Sequence, residues 1–388
     1  MDENRLGGEL MEKRKTTGRK ISSVIALQTI GSSLVISSIG PAMQDSWIVV
    51  IIAVGLSILL AWMYGALLKL YPDRGFLQIF QEVFGNTAGK AICGIYAAYA
   101  VFAGAQTFYI YNEFIKIVGL NETPQVAILM VSLPLIIWQV RSGPDNIGSC
   151  SKFLLPIALI FVGLTFLLGI PFMDADNLKP VLGSGPTALV HGTFSTLVAP
   201  FGETVLAVPF FGVADRNIKP LRVMVKGILI GGAVLLTATL RNLMILGAPT
   251  CRLFLFVSYD AVGIISIGDF VSRISVLIGI NLALSGIVRI DVSLYAASLS
   301  VSEALGTRGS TRPAACCGLL MVVLGYMLYN NMLSAVDFIP YIPAIGIPFQ
   351  FIFPLIALIT GRIKSTRRKK QAGNGAGERQ QCRENTEN

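Results

Sequence analysis

Residues 198–204 read VAPFGET and interrupt an apolar run that is otherwise long enough to cross a membrane as one helix. Pro200 removes a backbone hydrogen-bond donor, Gly202 permits unwinding, and Glu203 places a carboxylate among apolar residues. In lipid, backbone polar groups must be satisfied within the protein, so an interrupted helix is tolerated only where it is buried or lines a cavity. The stretch therefore predicts a membrane protein with a polar site inside its helix bundle.

The composition of the chain argues against a soluble enzyme. Of its 388 residues, 53% are hydrophobic and only 14% are charged, whereas soluble domains carry roughly 25% charged residues. A single histidine, His191, argues against a multi-histidine metal site or a serine–histidine triad, and the six cysteines contain no CxxC pair. We therefore expect no enzyme activity, no metal site and no cofactor.

Apolar runs in the sequence predict an all-α integral membrane protein with ten transmembrane helices. A membrane helix needs about 20 mostly apolar residues. The ten segments that fit are Ile21–Ile39, Trp47–Leu70, Ala91–Ile117, Gln125–Val140, Phe153–Phe172, Leu189–Val213, Leu221–Leu246, Ile264–Leu299, Ala314–Leu328 and Tyr341–Ile363. The chain then divides into a basic N-terminus over 1–20, a transmembrane domain over 21–363 and a polar tail over 364–388, which we expect to be disordered.

The distribution of Lys and Arg predicts that both termini are cytoplasmic. Cytoplasmic loops retain the excess of basic residues, and with the N-terminus inside only Lys116, Lys179 and Arg252 fall in outside loops. The net charge of +9 does not indicate a nucleic-acid partner, because the basic residues lie in the gaps between apolar runs. The basic start of the tail either contacts anionic membrane lipid or serves as a stop-transfer flank.

A second weak point lies in span one, where residues 29–41 read TIGSSLVISSIGP. Gly31, Ser32 and Ser33 lower the helix propensity near mid-membrane. Spans one and six occupy matching places in two halves of five spans, which predicts a five-plus-five inverted repeat with broken helices 1 and 6 and a ligand site between them. The alternative is that these small residues only allow helices to pack closely.

Span eight carries two ionisable residues, Arg289 and Asp291, which a membrane helix tolerates only with a partner or an aqueous cavity. Two residues along a helix correspond to about 200°, so the two side chains point to nearly opposite sides and are not expected to pair directly. Arg289 is expected to meet either Glu203 or the carboxylate of a ligand, because a guanidinium matches a carboxylate with two hydrogen bonds. Tyr99 in span three lies deep enough for its hydroxyl to need a partner.

Eight short motifs, in the same order along the chain, resemble the B subunits of bacterial spore germinant receptors. The likeness covers about residues 20–364. The motifs are KIS at 20–22, IGSS at 30–33, QDSWI at 44–48, ETP at 122–124, LKPVL at 178–182, PFGE at 200–203, SIGDFVSR at 266–273 and LYAA at 294–297.

The resemblance implies a branch of the amino acid–polyamine–organocation transporter superfamily. It further implies a receptor in the spore inner membrane that assembles with an A subunit and a C-subunit lipoprotein, senses a small germinant, commonly an amino acid, and triggers germination. By position, it assigns the ligand pocket to Gly31, Ser32, Ser33, Tyr99, Phe201, Gly202, Glu203 and Arg289.

Three functions are compatible with these features. The first is a nutrient sensor in which a ligand shifts a conformational equilibrium that partner subunits detect. The second is an amino acid transporter coupled to protons through Glu203. The third is a scaffold whose pocket is vestigial.

Overall fold

The computed structural model describes residues 16–35, 40–72, 74–120, 122–215, 217–264, 274–307 and 310–364, with the backbone alone at 32–35 and 274–277. The described chain is nearly all helical and contains no β-strand in these ranges. Several expectations concern residues outside this description: the basic N-terminus up to residue 15, the motif at 266–273, the side chains of Ser32 and Ser33, and the tail from residue 365.

Each of the ten expected spans corresponds to a helical segment, which confirms an all-α membrane protein. Seven described helices are long and apolar enough to cross a membrane. The ten segments are Gly18–Val35, Ser46–Leu70, Asn86–Val118, Gln125–Arg141, Pro144–Phe172, Gly185–Val213, Pro220–Leu246, Ile274–Leu305, Ala314–Leu328 and Met332–Lys364.

Spans five and eight extend beyond their predicted bounds, and polar residues in the added turns have partners. Span five begins at Pro144, which suits a first helical position since its missing N–H needs no partner there. The next residue, Asp145, forms a 2.7 Å salt bridge with Lys20 of span one. Span eight continues to Leu305, and its buried Glu303 accepts hydrogen bonds from the side-chain amides of Gln78 and Gln81.

Span one runs as regular helix through Gly31 to Val35, so the expected interruption does not lie at residues 31–33. The following residues, 36–39, are outside the description. A Cβ added to Gly31 would lie 2.8 Å from the carbonyl oxygen of Ser285 in span eight. The glycine therefore permits close helix packing, and this tertiary contact outweighs its low helix propensity.

Span one lies at the centre of the bundle, and its residues 21–31 are all buried. Gly227 and Gly231 of span seven face it, since an added Cβ at either position would come within 2.7 Å of Ile25 or Thr29. Small residues four apart let two membrane helices approach closely. The core therefore positions Gln28, one turn before Gly31, toward span six.

One loop connection joins two of the motifs quoted above. Asp45 is fully buried, and its carboxylate accepts hydrogen bonds from the backbone N–H groups of Leu182 (2.7 Å) and Ser184 (2.9 Å). Gln44 donates to the carbonyl of Pro180 at 3.3 Å. The start of span two therefore holds the loop that leads into span six.

Candidate functional site

Span six is broken where the sequence predicts. An α-helix over Gly185–Thr196 is followed by a π-helical turn over Leu197–Phe201 and by 3₁₀ helix over Gly202–Val213. Within the turn Ala199 is extended, with φ −132° and ψ 112°. The extended residue interrupts the ladder of helical hydrogen bonds, so backbone carbonyls near it need other partners.

Two glutamine side chains supply those partners. The amide of Gln28 in span one donates to the carbonyl of Glu203 at 2.7 Å. The amide of Gln350 in span ten donates to the carbonyl of Val198 at 3.1 Å. Both glutamines are buried. The break therefore lies inside protein, between spans one and ten.

The side chain of Glu203 forms an ion pair with Arg289, with 2.6 Å between Oε2 and Nη2. Arg289 also donates from Nε to the hydroxyl of Thr107 in span three at 2.9 Å. Glu203 is 3% exposed and Arg289 is 7% exposed. The hydrogen bond to Thr107 adds a partner for the buried guanidinium, which helps a buried ion pair to be tolerated. The ion pair and this hydrogen bond join spans three, six and eight in one polar network.

The hydroxyl of Tyr99 has a hydrogen-bond partner, as its predicted depth in the membrane requires. Its hydroxyl accepts a hydrogen bond from the Gln350 amide at 2.8 Å. Its ring stacks on Phe349, with the centroids 4.5 Å apart and the planes within 4°. Phe201, the last residue of the π-helical turn, is fully buried. Span three therefore contacts span ten beside the break.

The structure brings together five of the eight residues assigned to the pocket: Tyr99, Phe201, Gly202, Glu203 and Arg289. Gly31 lies one turn beyond Gln28, and its carbonyl accepts a hydrogen bond from the Tyr111 hydroxyl. It occupies a contact between helices beside the ion pair. The side chains of Ser32 and Ser33 are outside the description.

Gln28, Thr107 and Gln350 belong to the site but were not assigned by sequence reasoning. Each is a hydrogen-bonding side chain inside an apolar span, a position that is costly without a partner. That cost is a usable signal for an inward-facing residue. The identity of the partner depends on how distant spans pack together. The spacing of residues along one helix does not reveal that packing.

Three buried atoms around the break lack a hydrogen-bond partner among the described residues: Oε1 of Gln28, Oε1 of Gln350 and Nη1 of Arg289. Two are acceptors and one is a donor group of a cation. Each belongs to a side chain that contacts Val198, Gly202 or Glu203. The site can therefore accept hydrogen bonds from a cationic group and donate them to an anionic one.

Asp291 does not contact Arg289, as its position on the opposite side of span eight predicts. It is fully buried, and neither carboxylate oxygen has a hydrogen-bond partner in the described ranges. Arg241 of span seven is also fully buried and binds neutral acceptors, including the Thr165 hydroxyl at 2.8 Å and the Asn242 amide oxygen at 2.8 Å. Neither residue belongs to the polar network at the break.

Replacing Asp291 with Asn is expected to leave the melting temperature of the purified protein unchanged or higher, because the carboxyl group has no described hydrogen-bond partner that the change would remove. The matched variant Asp45→Asn is expected to lose about 1–3 kcal/mol of stability, since it disrupts two backbone contacts. Thermal unfolding in detergent compares the two. A larger loss for Asp291→Asn than for Asp45→Asn would show that Asp291 has a stabilising partner.

A cavity of about 2110 Å³ opens at one end of the bundle, between the ends of spans two, four and six. It extends inward to Pro209 of span six and Tyr295 of span eight. Its basic lining residues are Lys69, Arg74, Arg141, Lys219, Arg222 and Arg362. These residues lie in segments that the Lys and Arg distribution assigns to the cytoplasmic side.

Comparison with known families identifies the chain's relatives. A family model described as spore germination protein matches residues 16–335. The chain belongs to the spore germination protein family. Spore germination protein KB of Bacillus subtilis (strain 168) is 25% identical over 374 residues, covering 94% of this chain and 100% of the relative. Spore germination protein YndE of the same organism is 27% identical, covering 72% of this chain and 76% of the relative.

Two solved structures share the fold of this chain. MhsT in complex with L-phenylalanine has a TM-score of 0.62 at 14% identity, covering 89% of each chain. A manganese transporter of Eremococcus coleocola also has a TM-score of 0.62 at 14% identity, covering 87% of this chain and 78% of that one. This member of the spore germination protein family is therefore an integral membrane protein that shares its fold with these two structures.

Proposed function

We propose that this protein is the nutrient-sensing subunit of a spore germinant receptor and that it binds an amino acid at the break in span six. The observation that carries the proposal is the buried polar network at Glu203, with its unpartnered donor on Arg289 and unpartnered acceptors on Gln28 and Gln350. An amino acid zwitterion has the complementary groups, a carboxylate for the guanidinium and an ammonium for the amide oxygens. MhsT, which shares the fold, was crystallised with L-phenylalanine.

Membership of the family supports a proposed assembly and location. The receptor would lie in the inner membrane of the spore, with this subunit joined to an A subunit and a C-subunit lipoprotein. Both termini would be cytoplasmic, with the transmembrane domain over 21–363 and a polar tail after it. The basic residues lining the open end of the bundle support this orientation. Ligand binding would shift the bundle between two states that the partners distinguish.

The direct experiment is a germinant panel on spores that carry this subunit, with its A and C partners, as their sole receptor. We expect at least one of the protein L-amino acids, added singly, to cause germination. Spores lacking only this subunit provide the control and are expected not to respond. Germination by a sugar or nucleoside but by no amino acid would contradict the ligand class. An unchanged response in the deletion strain would contradict sensing by this chain.

The second candidate function is transport of the same ligand coupled to protons. The cavity supports it, because it extends from one end of the bundle to the 3₁₀ part of span six. Uptake of the active amino acid into proteoliposomes distinguishes the two functions. A sensor is expected to bind without accumulation, whereas a transporter accumulates the amino acid when a proton gradient is imposed.

A further inference from the structure

Gln350 of span ten contacts three other spans at the break. Its amide nitrogen donates to the carbonyl of Val198 in span six and to the hydroxyl of Tyr99 in span three. Its backbone carbonyl accepts a hydrogen bond from the Tyr64 hydroxyl of span two at 2.7 Å. The side chain is fully buried. One residue therefore ties span ten to the only described break in span six.

Glycines on two sides make room for this amide. A Cβ added to Gly202 would lie 2.0 Å from Oε1 of Gln350, and one added to Gly346 would lie 2.8 Å from its Nε2. Real Cβ atoms do not approach other atoms so closely, so each glycine allows the amide to lie against the backbone. The Gln350 amide consequently fills the space beside Gly202 at the point where span six unwinds.

A ligand group that reached the Val198 carbonyl from the Gly202 side would meet the Gln350 amide in the same volume. Backbone carbonyls at a broken membrane helix are the acceptors that a cationic ligand group uses. Gln350 already donates to that carbonyl, while its own oxygen has no partner in the described part of the chain. The Gln350 amide nitrogen would therefore compete with the ligand for the Val198 carbonyl. Once the side chain turned away, the Gln350 amide oxygen could accept a hydrogen bond from the ligand.

The segment that carries Gln350 has an irregular backbone. A short helix over Ile342–Ile347 leads into a π-helical turn over Pro348–Ile352, with a proline near the start of each. π-Helical turns in longer helices often occur at functional sites, and prolines remove helical hydrogen bonds. The segment 342–352 is therefore held by fewer local hydrogen bonds than a regular helix, so its contacts with other spans contribute more to its position.

We propose that Gln350 is the latch of the site: its amide holds segment 342–352 against the break in span six, and a ligand that binds the Val198 carbonyl replaces the amide and releases the segment. The proposal rests on the proposed function, since it takes the break as the ligand site. It makes Gln350 a positioning residue that reports ligand occupancy to span ten.

Hydrogen exchange of the full-length protein in detergent micelles tests the latch without any ligand. Gln350→Met keeps most of the side-chain volume and removes the amide, and Gln350→Ala removes both. Each is expected to speed exchange in peptides covering 342–352 and 197–202 by about tenfold, because two hydrogen bonds are lost. Gln139→Ala is the matched control, since Gln139 is buried in span four and its Nε2 has no described partner. Exchange in Gln350→Met that equals the unaltered protein would overturn the latch.

The same measurement with each protein L-amino acid added singly tests release. An amino acid that binds is expected to speed exchange over 342–352 in the unaltered protein and to add nothing in Gln350→Met. Slower exchange over 342–352 on binding would overturn release. If no amino acid alters exchange or melting temperature, the proposed function fails, and the comparison without ligand then confirms or overturns the latch by itself.

Discussion

Arg289→Gln is expected to reduce the amount of this protein in spore membranes several-fold and to abolish the response to its amino acid. The variant leaves Glu203 as a buried carboxylate without its partner. Breaking a buried pair by removing one member costs about 3–5 kcal/mol, and even 1–2 kcal/mol can change protein abundance several-fold. The level, measured by immunoblot, and germination, measured on the same spores, give the two readouts.

The double variant Glu203→Gln/Arg289→Gln separates the structural role of the pair from a role in binding. Removing both charges eliminates the unpaired carboxylate, so the protein level is expected to return near normal. The response is expected to stay absent, because the guanidinium that would bind the ligand's carboxylate is missing. A double variant that responds like the unaltered protein would show that the pair only stabilises the bundle.

Arg241→Gln is the matched control for loss of a buried arginine. Arg241 is fully buried like Arg289, but its described partners are neutral, so its removal leaves no carboxylate unpaired. We expect a lower protein level and an unchanged response per molecule of protein. Loss of response per molecule in this variant as well would mean that the effect of Arg289→Gln is not specific to the break.

The spans and the break in span six could be predicted because each depends only on residues that are close together in the sequence. The bilayer sets the length of an apolar helix, and the Pro200–Gly202 region removes helical hydrogen bonds wherever it lies. The pairing of Arg289 with Glu203 was one of two predicted outcomes, since only one carboxylate falls at the break. In the structure, the packing of spans six and eight brings the two side chains together.

The partners of Gln28 and Gln350, and the regular helix at Gly31, could not be predicted in the same way. Helix propensity favours a break at Gly31, but contact with span eight compensates for it. Gln350 reaches the break from a span about 150 residues further along the chain, as its hydrogen bond to Val198 shows. Both outcomes depend on how helices that are distant in the sequence approach each other. The spacing of residues along a single sequence does not reveal such contacts.

Gly286→Ala is expected to prevent normal assembly of the bundle. A Cβ at this position in span eight would lie 2.0 Å from Cε1 of Tyr111, and two further ring atoms lie within 2.4 Å. The ring has little freedom to move, because its hydroxyl donates to the carbonyl of Gly31 and the side chain is buried. Overpacking of this kind typically costs about 1–3 kcal/mol or more. Size-exclusion chromatography and thermal unfolding in detergent measure the loss.

Two further variants identify the cause of that loss. Gly163→Ala in span five is the matched control, because a Cβ there meets nothing within 4 Å, and it is expected to be neutral or stabilising by up to about 1 kcal/mol. Tyr111→Ala/Gly286→Ala removes the ring and is expected to recover a folded monomer that is less stable than the unaltered protein, since a cavity replaces the ring. If the double variant is no better folded than Gly286→Ala, the close approach of spans one, three and eight at Gly31, Tyr111 and Gly286 is not what limits packing. Recovery would establish that the Tyr111 ring limits what span eight can carry at position 286, beside the hydrogen bond from Tyr111 to Gly31 of span one.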